Sequence, residues 1–228
     1  MRKIYSLLSF VAALALPSLA AAQEPAPSSG APPARTGFQM ALRTGYQMPM
    51  GKVGDGAGAE MSNTFSGQVP ILVEIGGKPI SNLFVGGYLG LGFGGAAGDA
   101  DKACTALGMT CTAVNFRLGV EFQYHILPAQ MANPWLGYGI GLESVALGQS
   151  VGGQTFTTSY GGFEFAHFMG GVDFRVSRAF GIGPFVDFSI GKYSHHRIEV
   201  AGTTDDADIP QTATHEWLAF GARGTFFP

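Results

Sequence analysis

Hydrophobic and polar residues alternate over most of the chain. In residues 38–48, Phe38 and Met40 fall on one parity, whereas Gln39 and Arg43 fall on the other. A period of two is that of a β-strand with one apolar and one polar face. Seven more segments share it: residues 68–75, 83–93, 114–125, 136–143, 167–176, 185–191 and 217–226. The pattern predicts an all-β protein with eight strands.

The composition indicates which face of these strands is buried. Glycine is abundant, with 35 of 228 residues, and only 13% of the residues are charged. Low charge and 46% hydrophobic residues argue against disorder, and a net charge of -3 argues against nucleic-acid binding. The polar parity combines small residues with charges of both signs, which suits a narrow interior. The apolar parity would then face lipid.

Charged residues on the polar parity are the main candidate site. A charge buried without a partner is costly, so we expect these arginines and carboxylates to pair inside a barrel and fill it. An eight-stranded barrel is just wide enough for side chains to do so. The predicted lumen network comprises Arg43, Glu74, Arg117, Glu121, Glu143, Asp173, Arg175, Asp187 and Arg223.

The lengths of the connections agree with a membrane barrel. Outer-membrane barrels have short periplasmic turns and long outer loops. Residues 49–66, 94–112, 145–162 and 194–214 form long connections, and residues 76–82, 126–134 and 177–181 form short ones between them. Because backbone groups in lipid need internal partners, the strands must close. We predict an eight-stranded antiparallel up-and-down transmembrane β-barrel with short periplasmic turns and four long outer loops.

Two local features refine this prediction. In the sixth segment, Phe163 and Phe165 fall on the polar parity, so we expect a β-bulge or an early exit from the membrane there. Aromatic residues near strand ends fit interfacial girdles. They are Phe38, Tyr46, Tyr124, Trp135, Tyr138, Phe180, Tyr193 and Phe226.

The N-terminal segment indicates export. Residues 1–22 have two basic residues, an apolar run and a small-residue end, as in a secretory signal peptide. Residues 23–36 are rich in proline and alanine and predict a periplasmic tether, which leaves residues 37–228 for the barrel. The chain is therefore expected in the bacterial outer membrane.

With this organisation, the chain resembles the small eight-stranded outer-membrane barrels of Gram-negative bacteria, of the OmpA/OmpX/OmpW type. The final strand, from Trp217 to Phe227, is similar to the aromatic-ended insertion signal of that group. The resemblance implies outer-membrane lipid and lipopolysaccharide as surroundings, insertion by the barrel-assembly machinery, surface ligands at the outer loops, and a monomer. Neither a cofactor nor a metal is expected.

The two cysteines lie in the second outer connection. Cys104 and Cys111 are the only cysteines of the chain and reach an oxidising compartment, so a disulfide is the default. In the fourth outer connection, imidazoles and carboxylates have the chemistry of divalent-cation ligands, although such a set is more often a solvated loop. These residues are His195, His196, Asp205, Asp206 and Asp208.

Three functions remain open from the sequence. The first is a non-enzymatic outer-membrane protein with a plugged lumen and a structural, surface-interaction or adhesion role. The second is a narrow channel or conduit for small, hydrophobic molecules, which the resemblance permits. The third is a lipid-modifying enzyme, for which His215 and Ser194 are the candidate residues.

Overall fold

A computed structural model describes residues 34–56, 59–152, 154–200 and 202–227. The predicted signal peptide, residues 1–22, and residues 23–33 of the predicted tether lie outside the described residues. Residues 34–36 have no regular secondary structure and lead into the first strand. Among the described residues, no helix is both long and apolar enough to cross a membrane.

Strands make up most of the described chain. They are β1 Gly37–Gly51, β2 Val69–Ile80, β3 Leu83–Gly95, β4 Thr110–His125, β5 Ala132–Val151, β6 Gln154–Arg175, β7 Phe180–Val200, β8 Thr203–Asp208 and β9 Thr214–Phe226. A 3-10 helix, Met61–Asn63, follows β1, and one α-helix, α1 Gly98–Ala106, follows β3. The predicted strands all exist, and most are longer than the alternating segment that identified them.

The strands close into an antiparallel barrel. Successive strands pair from β1 to β7, β7 pairs with β9, and β9 pairs with β1. The short β8 pairs only with the outer end of β7 in the described chain, so the wall itself has eight strands. This arrangement confirms the predicted up-and-down barrel, in which no backbone edge faces lipid.

The two faces of the wall differ as predicted. Large apolar side chains on the outer surface are exposed, for example Leu118 at 47% and Val120 at 61%. Their inward neighbours Arg117 and Glu121 are buried, at 4% and 3%. An apolar exterior around a polar interior is the arrangement of a membrane barrel.

The polarity of the wall reverses toward its outer end. On β5, Leu142 is 58% exposed and faces outward, whereas Val145 and Leu147, farther along, are buried at 0% and 3%. Ser150, on the opposite parity, is exposed. An apolar outer surface, as at Leu142, suits contact with lipid, and a polar outer surface, as at Ser150, suits contact with water. We therefore infer that β5 leaves the membrane near Ser144.

Two outer connections are more ordered than expected. Residues 145–162 form a paired hairpin that continues β5 and β6, and residues 194–208 continue β7 and return as β8. In the first hairpin Val145 and Leu147 face inward, which is opposite to the alternation that predicts a membrane strand. The second hairpin is exposed over most of its length. We call residues 144–161 and 194–208 together the outer extension.

A β-bulge interrupts β6, as expected from its conflicting parity. The pairing of β6 with β7 shifts register between Glu164 and Ala166, and the pairing with β5 shifts opposite Ile140. The extra residue lets Phe163 and Phe165, at 48% and 38% exposure, face outward on the same strand as Phe168, at 51%, while Glu164 is buried. The bulge therefore adds a carboxylate to the lumen.

The second outer connection carries the predicted disulfide. Cys104 on α1 is bonded to Cys111 at the start of β4, with their Cα atoms 6.2 Å apart. The helix was not predicted, because its nine residues are too few for a clear period. Asp99 and Asp101 lie in its first turn, where carboxylates interact favourably with the helix dipole.

The seam between β1 and β9 gives a test of the fold. Gly45 faces Gly221, and a Cβ atom at Gly221 would lie 2.1 Å from the carbonyl oxygen of Thr44. We expect Gly221→Ala to push the two strands apart and destabilise the barrel by about 1–3 kcal/mol. Loss of the heat-modifiable band on SDS gels and a lower urea midpoint would report this.

Gly148→Ala is the matched control, because a Cβ atom there would lie 3.4 Å from the nearest atom, Thr112 Oγ1. Equal stability of both variants would contradict the proposed close approach at the seam.

Candidate functional site in the barrel lumen

The candidate site is the set of charged side chains inside the barrel. Of the nine residues predicted for it, eight are buried in the lumen. Arg175 differs, because it is partly exposed at the periplasmic rim and donates a hydrogen bond to the carbonyl of Pro128. It lies at the last residue of β6, where the lumen opens to the periplasm, and not within the buried set.

Arg43 lies at the centre of the first group of ion pairs. Its Nη1 donates to both carboxylate oxygens of Asp187, at 2.6 and 2.7 Å, and its Nη2 donates to Glu121 at 3.2 Å. Its Nε lies 2.5 Å from Glu74. Charge-assisted bonds of this kind are stronger and more directional than neutral ones. One guanidinium on β1 thus connects carboxylates on β2, β4 and β7.

Arg223 forms a second group on the periplasmic side. Its Nη2 donates to Glu74 and to Gln123, both at 2.6 Å, and its Nη1 donates to Asp173 at 2.9 Å. Because Glu74 also contacts Arg43, the two groups form one network, which we call the arginine layer.

Trp135 also belongs to the lumen and not to an interfacial girdle. The guanidinium of Arg223 lies over its ring, 4.1 Å from the centroid, and the side chain is 1% exposed. Tyr193, also expected in a girdle, is 0% exposed. Both residues lie on the inward parity of their strands, so the alternation itself separates them from lipid-facing aromatic residues.

Glu164, the principal partner of Arg117, is not among the residues predicted for the lumen network. Arg117 donates to both oxygens of Glu164, with Nε at 3.3 Å from one of them, and the hydroxyl of Tyr88 donates to it at 2.9 Å. His167 lies between Glu164 and Asp187, 3.6 Å from an oxygen of each. The signal for Glu164 was its place between two phenylalanines that both need to face lipid.

Glu143 is held at the outer end of the lumen mainly by neutral donors. Tyr193 and Trp217 each donate to it at 2.6 Å, and Asn115 donates at 3.0 Å. His215 contacts the second oxygen at 3.2 Å and stacks on the ring of Tyr193, with centroids 3.7 Å apart. We call this group the Glu143 cluster.

This position of His215 contradicts the candidate enzymatic pair. His215 is 1% exposed and contacts Glu143, whereas the Ser194 hydroxyl contacts the neighbouring His195 at 3.1 Å. Ser194 lies on the exposed side of β7 and His215 on the inward side of β9. The strand parity therefore separates the two side chains that proximity in the loop suggested to be partners.

An apolar group covers the Glu143 cluster from outside. The connection between β1 and β2 was expected as an outer loop, but Val53, Met61 and Phe65 turn inward and are at most 8% exposed. They pack with Val145 and Leu147 and with the rings of Tyr193 and Trp217. We call Val53, Met61 and Phe65, with these partners, the outer cap.

Little space remains between these groups. The cavity bordered by Arg43, Gln47, Gly90 and Arg117 has a volume of about 10 Å³, which is room for roughly one water molecule. On one side of it, Gln47 Nε2 donates to Gln68 Oε1 at 2.7 Å.

Carboxylates outnumber the buried arginines. The predicted lumen network has four arginines and five carboxylates, but Arg175 lies at the rim and Glu164 lies inside. The buried carboxylates are those of Glu74, Glu121, Glu143, Glu164, Asp173 and Asp187. Arg43, Arg117 and Arg223 face them, so neutral donors such as Tyr193 and Trp217 hold the carboxylate that lacks a close arginine.

The histidines and aspartates of the fourth outer connection lie on the hairpin of β7 and β8. His195 is opposite Asp208, and Arg197 donates to Asp206 at 2.6 Å. That hydrogen bond and the positive charge of Arg197 lower the pKa of Asp206. Within the residues that the structure describes, no three His, Cys, Asp or Glu side chains are grouped closely enough to hold a metal ion.

Arg43 gives a test of the arginine layer. We expect Arg43→Met to destabilise the barrel by about 3–5 kcal/mol, because three buried carboxylates lose their shared cation. Arg197→Met is the control: it also removes one ion-paired arginine, but an exposed one, and we expect little change. Urea unfolding in lipid vesicles measures both, and equal losses would contradict a structural role for the layer.

Comparison with known proteins supports the fold. No protein-family model matches the sequence, and no curated protein matches it. The major outer membrane protein of Thermus thermophilus has a similar structure, with a TM-score of 0.51 and 12% identity over 84% of this chain and 99% of that one.

Two smaller likenesses are to Ail of Yersinia pestis and to Neisserial surface protein A. For Ail the TM-score is 0.46 and the identity 14%, over 84% of this chain and 100% of that one. For the Neisserial protein the TM-score is 0.42 and the identity 13%, over 83% of this chain and 95% of that one. The closed wall and its apolar exterior, together with the fold shared with the Thermus protein, show that this chain has the β-barrel fold of bacterial outer-membrane proteins.

Proposed function

We propose that this protein is a non-enzymatic, non-conducting barrel that anchors an ordered interaction surface, the outer extension, at the outer face of the membrane. The observation that carries the proposal is the closure of the lumen at three successive levels. These are the arginine layer, the Glu143 cluster and the outer cap.

Each level opposes passage for a different physical reason. A solute crossing the arginine layer has to separate Arg43 or Arg223 from buried carboxylates, which leaves uncompensated charges in a medium of low polarity. At the Glu143 cluster it has to remove four hydrogen-bonding partners from one carboxylate. At the outer cap it has to displace closely packed side chains, including Met61 and Phe65.

The same sequence of levels disfavours a conduit for small hydrophobic molecules. An apolar solute that entered between the side chains of the outer cap would next meet Glu143 and the arginine layer, where it offers no hydrogen bonds. An enzymatic role is disfavoured by the separation of His215 from Ser194.

The charges at the outer end indicate the kind of partner that suits the extension. Carboxylates predominate there, namely Asp55, Glu60, Asp99, Asp101, Glu199, Asp205, Asp206, Asp208 and Glu216. The cations are Lys52, Lys102, Lys192 and Arg197. Electrostatic complementarity favours a neutral or cationic partner over a polyanion.

Conductance in planar bilayers tests the closed lumen. We expect the purified protein to give no steady, resolvable openings at moderate salt, because buried ion pairs span the lumen at the arginine layer. A known open porin, inserted under the same conditions, shows that the assay detects channels. Steady openings of the purified protein would contradict the proposal.

The outer extension is tested by labelling and trimming. We expect an epitope inserted at Gly152 to bind antibody on intact cells, and the same epitope in the turn between β6 and β7 to be inaccessible. Replacing residues 197–206 by Asn-Gly removes Glu199, Asp205 and Asp206 together with Arg197, so it should preserve heat-modifiable folding but reduce attachment of expressing cells to cationic surfaces. Undiminished attachment by the folded, trimmed protein would argue against a role for the extension.

A further inference from the structure

The periplasmic end of the barrel carries an open cleft lined by two arginines. The cleft has a volume of about 530 Å³ and is bordered by Arg35, Thr36, Phe38, Arg178 and Phe227, together with Ala34 and Ala179. None of these residues belongs to the lumen network or to the outer extension. We propose that this cleft binds the phosphate head group of an anionic phospholipid from the periplasmic leaflet.

Contacts at the end of the chain hold the two sides of the cleft together. The guanidinium of Arg35 lies over the ring of Phe227, 5.0 Å from its centroid. The backbone N–H of Phe227 donates to the carbonyl of Ala179 at 2.8 Å, which fixes the turn next to Arg178. Phe227 therefore positions Arg35 through its ring and the Arg178 turn through its backbone.

The turn itself is also ordered. The Ser177 hydroxyl accepts hydrogen bonds from the N–H groups of Ala179 and Phe180, at 3.2 and 3.1 Å. The N–H groups of Val176 and Ser177 both donate to the carbonyl of Phe180, at 3.0 Å. Arg178 thus extends from a constrained backbone, so little backbone entropy is lost when its side chain binds an anion.

The charge around the cleft favours an anion. Four basic side chains lie at the periplasmic end, namely Arg35, Lys78, Arg175 and Arg178. The one carboxylate side chain among the described residues there, Asp173, is buried and accepts a hydrogen bond from Arg223. No side-chain carboxylate of the described chain lies within ion-pair distance of Arg35 or Arg178. A phosphate would bring negative charge to both guanidinium groups and can bind a guanidinium through two oxygens.

The depth of the cleft favours a lipid over a soluble phosphate. Phe38, which borders it, faces lipid with 49% of its surface exposed, and Phe180 and Phe226 are exposed at 40% and 45% on adjacent strands. Aromatic side chains of membrane barrels gather at the level of the head groups. A phospholipid whose phosphate is held by Arg35 and Arg178 would therefore have its acyl chains beside these rings.

Native mass spectrometry of the full chain tests this inference. The delipidated protein is mixed with equal amounts of phosphatidylglycerol and phosphatidylcholine with the same acyl chains. We expect the wild type to retain phosphatidylglycerol preferentially. Arg178→Gln should weaken that preference about 5-fold, and Arg35→Gln with Arg178→Gln about 20-fold, because each cation near a membrane surface contributes similarly.

Lys102→Gln with Arg197→Gln is the control, since it removes two cations from the outer end and should leave the preference unchanged. Folding of every variant is checked by heat-modifiable mobility, and Arg178→Gln alone keeps the cation–π contact of Arg35. Equal retention of both lipids by the wild type, an unchanged preference in the double variant, or an equal loss in the control would overturn the proposal.

A soluble head group distinguishes a lipid from a free phosphate ester. We expect glycerol phosphate, at the same concentration as the lipid, to leave the bound phosphatidylglycerol in place, because it lacks the acyl chains. Complete displacement would overturn the assignment to a lipid. These outcomes are independent of whether the barrel conducts.

Discussion

The absence of water in the hydrocarbon core is the constraint on which this structure depends. Every backbone N–H and C=O at membrane depth needs a partner in the protein, and a closed wall of paired strands provides all of them. Closure with eight strands leaves an interior that side chains fill. Glycines make the filling possible: a Cβ atom at Gly119 or Gly141 would lie 2.4 Å from the hydroxyl of Tyr88.

The filled interior also joins the wall across its diameter. Arg43 on β1 contacts β2, β4 and β7, and Arg223 on β9 contacts β2, β4 and β6. Tyr88 on β3 and Glu143 on β5 complete the set through Glu164 and Tyr193. All eight wall strands therefore take part in polar contacts across the lumen. Such contacts constrain the register of the strands, because a slip of one residue would turn the charges toward lipid.

The two ends of the barrel differ in charge and in structure. The outer end is acidic and ordered, with the outer extension forming hairpins over the outer cap. The periplasmic end is basic, with short turns and the cleft between Arg35 and Arg178. This asymmetry fits the two proposals made above: an interaction surface at the outer end, and a basic periplasmic end that binds phosphate head groups.

The sequence by itself determined the fold class, the number of wall strands and the inward position of residues such as Arg43 and Glu121, because alternation with a period of two is a local property of the chain. It also indicated the bulge, through Phe163 and Phe165. Only the tertiary structure decided that Glu164 pairs with Arg117, that Tyr193, Trp217 and His215 bind Glu143 and that Met61 and Phe65 cover the barrel. Each of these depends on which strands are neighbours across the barrel and on where the wall leaves the membrane. Contacts between residues that are distant along the chain set both, and local alternation carries no information about them.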